Sequence, residues 1–324
     1  MSRWYRPCIT VGSAILTTIC VAQDLGLLLG VRQDSGEYQS YWVAKQGVSV
    51  SIVRLSGPLW VKRGSEYWEL GTVRQTVGNW GEDRLYATPW KKPLTFPQLE
   101  ANGRSGLRTV NITFASADRV GLDIREEGVK GETSLRSLYF RTKLWPDLVD
   151  SVSFATDFGA EQERSANNQI NLYRESLNDS DRNRLEERMS PHSWLLQHKE
   201  GLWAVIARLG FTHESDRGSH AEVRLDVQIP PKLVEKSPAV PDWTNVKSFL
   251  NDSRDFVSAL DGSFVVILAP RNVFVYGARN GRMTRQMGFA SSNAPSVVST
   301  QWFKGDVVRQ MSNEVRQLQS SMPK

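Results

Sequence analysis

The chain is poor in cysteine, in histidine and in long apolar runs. Its 324 residues include two cysteines, Cys8 and Cys20, both inside the first 22 positions. The remaining body has no thiol, which rules out disulfides and cysteine-ligated metals there. Large exported eukaryotic domains commonly use disulfides, so this absence points to a bacterial envelope or secreted protein. There are four histidines, His192, His198, His213 and His220. The chain has no G-x-S-x-G nucleophile elbow and no glycine-rich phosphate loop. Asp179, Asp181 and Asn183 begin like a calcium loop, but Arg184 and Ser190 stand where the glycine and the bidentate glutamate are required. Basic residues form no run. The 40 lysines and arginines are interspersed with 35 acids, for a formal charge of +5. A nucleic-acid interface needs a concentrated basic face, so no nucleic-acid partner is expected.

Apolar sequence is concentrated at the N-terminus. Arg3 and Arg6 precede an uncharged stretch from Cys8 to Ala22, and Gln23 and Asp24 end it. A basic start, a short apolar segment and small residues at Cys20 and Ala22 form the signature of a secretory signal peptide. The reading assigns 1–22 to the signal, with cleavage after Ala22. Export to the periplasm, cell surface or medium follows. Leu25–Val31 is also apolar and offers an uncleaved anchor as a rival. That rival would bury Asp24 in the bilayer at about 2.5–3.5 kcal/mol. A lipidated Cys20 is a further rival, disfavoured by the bulky Ile19 before it. No second stretch reaches the roughly 20 residues of a membrane helix, so no transmembrane segment is expected after cleavage. Loss of Arg3 and Arg6 leaves 38 basic against 35 acidic side chains, a balance of about +3.

The body is expected to be mainly β, of α+β type, with antiparallel sheets of sandwich or barrel-like form. Val48–Leu55, Leu107–Phe114 and Arg119–Arg125 alternate apolar with polar, the period of a half-buried strand. Ser193–Gln197, Leu202–Leu209 and His220–Ile229 read as a meander, turning first at Lys199-Glu200-Gly201. A polar helical insert is expected over 160–189, interrupted near Asn178–Ser180, with Asp179 or Ser180 capping its second part. Ile170, Tyr173, Leu177 and Leu185 supply its apolar stripe. Pro230, Pro231, Pro238 and Pro241 mark a stiff connector. The reading therefore divides the body into a β-rich domain at 23–236 and a C-terminal subdomain at 237–324. Asn280-Gly281 predicts a hairpin turn with two residues at positive φ. Lys304–Leu318 predicts an amphipathic helix with Val307, Val308, Met311, Val315 and Leu318 on one face.

Chemistry is harder to find. His213, Asp216 and His220 form the densest group of metal-ligand types, in a segment that reads equally as a polar turn. No cofactor is expected. The unusual feature is aromatic: Trp42, Trp60, Trp68, Trp80 and Trp90 fall within 49 residues, with Tyr41 and Tyr67 among them. Such rings either fill a core or form an exposed platform that stacks on sugars or anchors a protein. Two functions follow. The first is an exported non-catalytic module binding cell-wall glycan or an envelope protein through the aromatic sheet. The second is an exported hydrolase with a site assembled from distant residues, sought first around His213–His220.

Overall fold

A computed structural model describes residues 23–90, 100, 103, 105–127, 133–141, 152–185, 190, 192–210, 220–238, 240–293 and 295–320, with backbone alone at 126–127, 133–141, 220 and 318–320. The expected signal peptide at 1–22 and the residues His213 and Asp216 lie outside the described residues.

The chain is mainly β, with seventeen described strands in four sheets and five described helices. The first sheet has the order β17-β1-β2-β3: β17 (Ser296–Lys304), β1 (Leu25–Arg32), β2 (Tyr38–Gln46) and β3 (Ser49–Arg54), all antiparallel. The apolar Leu25–Val31 is thus a central strand, buried along its length. Its two faces are divided by the period of two. Leu25, Leu27, Leu29 and Val31 pack against the sheet of β13 (Asp255–Ser258), β14 (Phe264–Leu268), β15 (Asn272–Arg279) and β16 (Arg282–Ser291). Leu28 packs on the opposite side with Trp42, Trp60 and the helix α5 (Asp306–Ser320). Gly26 stands on that second face. A Cβ there would lie 2.3 Å from the Trp42 ring, so only glycine admits the indole. Because β1 pairs with β17, the segments expected as separate units at 23–236 and 237–324 share this sheet.

A third sheet runs β4 (Leu59–Arg63), β5 (Glu66–Val77), β6 (Trp80–Pro89), β7 (Gly106–Ala115), β8 (Arg119–Glu127) and β9 (Thr133–Arg141). It is antiparallel except for three parallel pairs between β6 and β7. The fourth is the expected meander of β10 (Trp194–Lys199), β11 (Leu202–Gly210) and β12 (His220–Leu225). It packs on the helical insert, where α1 (Phe154–Phe158) and α2 (Ala160–Glu175) bury Phe154 and Ile170. The short α3 (Asp179–Arg184) is capped by Asn178, whose side chain accepts the Asp181 N–H at 2.9 Å. The cap is therefore one residue before Asp179 and two before Ser180, because Asn178 reaches the third helical N–H. Further along, α4 (Trp243–Phe249) covers the outer face of β13–β15.

Both expected hairpin turns are present. Glu200 and Gly201 adopt φ of 54° and 82°, and Asn280 and Gly281 adopt 50° and 75°. In α5, Val308, Met311 and Val315 are buried, while Val307 is exposed. The spacings 308, 311 and 315 keep one face inward, and Val307 lies beyond its edge, about a hundred degrees from Val308.

Candidate functional site

The structure brings four of the seven candidate aromatics into the core. Trp42, Trp60, Trp80 and Tyr41 are at most 5% exposed. Trp60 packs on Tyr67 and Trp90 at ring separations of 5.7 and 5.4 Å. Helix α5 closes over this group: the Trp42 indole N–H donates to Ser312 Oγ at 3.1 Å, and the Tyr67 hydroxyl donates to the Glu314 carboxylate. Burial, reinforced by the Glu314 charge, pushes the Tyr67 hydroxyl above its ordinary pKa. The Trp60 indole donates to the Ser56 carbonyl, and the Tyr41 hydroxyl to the Ser291 carbonyl. Trp68 is half-buried, with the Arg63 guanidinium 5.9 Å from its ring. Rings buried to this degree offer a ligand no face. Trp42, Trp60, Trp80 and Tyr41 therefore follow the core alternative, and Tyr67, Trp68 and Trp90 are the members with partial exposure.

The metal candidates are not brought together by described side chains. His220 opens β12, and His213 and Asp216 are outside the described residues. Among the described residues no group of three ligand-type side chains is placed to hold a metal ion.

A different site emerges where β10 and β11 meet β13 and β17. Along β10, Trp194, Leu196 and His198 share the buried face by strand alternation. His198 is buried beside Asp255, the first residue of β13, with Nδ1 2.7 Å from Asp255 Oδ2. The other carboxylate oxygen accepts the N–H groups of Gly201 and Phe256, each at 2.9 Å. Three donors thus hold one buried carboxylate, which compensates its loss of water. The arrangement depends on the β10–β11 turn. Gly201 is in the left-handed region, and a Cβ on it would lie 2.2 Å from the Phe256 ring. A carboxylate only accepts, so the ring carries its proton on Nδ1. No described protein group bonds Nε2, which is the acceptor of the neutral ring.

Trp203 is the cross-strand partner of His198, and their rings meet edge to face at 5.0 Å. Its indole N–H donates to Thr300 Oγ1 on β17 at 3.3 Å. The two-residue turn makes Lys199 and Leu202 a hydrogen-bonded pair, so the backbone N–H and C=O of Trp203 point away from β10. On that side β12 would continue, but its pairing with β11 ends at Leu225 with Val205. Past that point, Gln169 of α2 holds Asp226 from the side that faces away from β11. Its amide accepts the Asp226 N–H at 2.7 Å and donates to the Asp226 carbonyl at 3.1 Å, doing for one residue what a neighbouring strand would do. The proline-containing segment that follows then runs along a gap instead of a ladder, since proline has no N–H to contribute.

The result is a cleft of about 490 Å³, within the size range of small-ligand sites. Trp203, Trp302, Val227, Ile229 and Val257 give it apolar walls, and His198 and Thr300 also line it. Asp226, Gln228, Lys236 and Ser237 add polar groups. Asp226 and Gln228 are exposed. Glu235 at the margin pairs with Lys304 at 3.0 Å.

The sequence held one signal for this site: a histidine just past the predicted strand Ser193–Gln197 and in step with its apolar Trp194 and Leu196, a place where imidazole needs a partner. Asp255, 57 residues away, and the Gln169 amide carry no local pattern that would identify them. Comparison with known proteins adds no relative: no family model and no curated protein matches this chain.

Proposed function

We propose that this chain is an exported, non-catalytic protein that binds a short glycan segment in the cleft between Trp203 and Trp302. The observation that carries the reading is the pairing of two half-buried indoles with exposed hydrogen-bonding side chains, Asp226 and Gln228, in one concave site. Sugars present apolar ring faces edged by hydroxyls, and this mixture of flat rings and planar polar groups complements both. The Trp203 backbone adds a donor and an acceptor directed into the gap. Export rests on the basic and apolar pattern of residues 1–22.

Titration of tryptophan fluorescence with soluble peptidoglycan fragments and chito-oligosaccharides tests the binding. Saturable quenching is expected, with Trp302→Ala weakening it about thirtyfold, as loss of an aromatic hot spot does. If folded protein ignores every glycan offered, the reading is wrong. N-terminal sequencing of the native product is expected to begin at Gln23.

A second reading, a hydrolase, draws on the His198–Asp255 pair. An acid that fixes an imidazole through Nδ1 leaves Nε2 to take a proton from an attacking water. Release of new reducing ends from a labelled glycan, lost in His198→Ala while binding persists, would favour it. Binding without any release would eliminate it.

A further inference from the structure

We infer that a second cleft, separate from the first, binds a small molecule carrying several oxyanion groups. It measures about 900 Å³ and lies between strands of the β1–β3 sheet and of the β4–β9 sheet. Four arginines line it, Arg32, Arg54, Arg74 and Arg125, from β1, β3, β5 and β8. Its acids are Glu37 and Asp83.

The pairing within the cleft leaves the cations in excess. Asp83 is occupied by Arg74, which donates from Nε at 2.6 Å and from Nη2 at 2.8 Å, and Val110 N–H takes a third position on it. Arg54 Nε donates only to a neutral acceptor, Gln39 Oε1 at 2.7 Å. The Gln39 amide is itself fixed by donating to the Leu55 and Ser40 carbonyls. Arg125 stands 3.8 Å from Asp123, whose other oxygen is held at 2.6 Å by Arg208. Asp34, on the adjoining turn, is engaged by Arg254. Arg32 has no acidic partner among the described residues, and its Nε is buried without a hydrogen bond.

An orphaned buried donor costs about 1–3 kcal/mol. Guanidinium forks match the geometry of phosphate and carboxylate, and they stay charged at any physiological pH. Thr72, Thr109 and Asn111 in the same lining provide neutral hydrogen bonds beside the charges. Three forks with spare donors, in a space far larger than one simple anion, fit a ligand with two or more charged groups. Phosphate and carboxylate share this chemistry, and the probes separate them.

Isothermal titration at low salt with inorganic pyrophosphate, and in parallel with citrate, tests the site. At least one is expected to bind with a submillimolar Kd. Arg32→Gln, Arg54→Gln and Arg125→Gln are each expected to weaken it about tenfold or more, the effect of a lost charged hydrogen bond. Arg125, whose side chain is 54% exposed, serves if Arg32→Gln does not fold. Lys247→Gln on α4 is the control for general attraction and is expected to change nothing. Binding of pyrophosphate alone assigns a phosphorylated ligand, and of citrate alone a polycarboxylate. Failure of both anions to saturate, or equal weakening by the control, overturns the inference. Neither result bears on the glycan titration, which reads the other cleft.

Discussion

Two groups of tryptophans in this molecule meet opposite fates. Trp42, Trp60 and Trp90 lie under α5, whereas Trp203 and Trp302 line an open cleft. The rings are chemically the same, and both groups grow from antiparallel strands. What separates them is a cover. Helix α5 lays Val308, Met311 and Val315 on the first group. Over the second, β12 ends its pairing with β11 at Leu225, before it could close the gap. Aromatic density along a sequence therefore marks where burial is strong, and a neighbouring element decides whether a ligand reaches the rings.

The contrast is sharpest in stability. Trp42→Ala is expected to cost about 3–5 kcal/mol, the range for a large core ring. Trp302→Ala should cost much less while weakening ligand binding. Urea unfolding of both variants checks this, and equal losses would break the distinction. Gly201→Ala comes next, at about 3 kcal/mol, because it combines a left-handed backbone with a collision against Phe256. Unfolding curves would show it, together with a change in the His198 ring resonances as the Asp255 contact is lost.

A smaller effect is expected from Tyr67 under α5. Its hydroxyl titrates higher in the folded protein than the ordinary value of 10.0. The unfolded chain then loses this proton first as pH rises. The associated stability is complete below about pH 10 and declines above it. Tyr38, Tyr41 and Tyr86 are shifted in the same direction by burial. The urea midpoint should fall between pH 9.5 and roughly 11, and less steeply in Tyr67→Phe. The smallest change belongs to Arg309→Ala. Arg309 donates to Asp24 at 2.8 Å but is 66% exposed, so solvent screening leaves only a marginal shift of the urea midpoint. Its hydrogen bond holds the Asp24 carboxyl below the usual range. What stability that pair adds is present above about pH 4 and is lost on further acidification.

Local patterns made much of the fold legible. Alternation located β3, β7 and β8, Lys199-Glu200-Gly201 marked a turn between two strands, and Asn280-Gly281 announced a hairpin because both its residues need positive φ. His220–Ile229 looks like one strand, yet it leaves its sheet after Leu225. Its alternation continues through Val227 and Ile229, but Pro230 and Pro231 follow, and a distant helix holds Asp226 through the Gln169 amide. The fate of the aromatic cluster was hidden for the same reason, since Trp42 and its partner Ser312 are 270 residues apart. The arginine cleft is assembled from four strands, and its significance lies in which carboxylates are already engaged. Spacing along the chain does not record that.

The pairing of β1 with β17 also governs how the chain can be made. Synthesis delivers β1 early, but one of its edges stays open until Ser296–Lys304 emerges. Until then an apolar strand with unpaired amides is a template for pairing with another chain. Truncation before Ser296 should therefore yield aggregate, and a holding chaperone would act on the nascent product throughout its elongation.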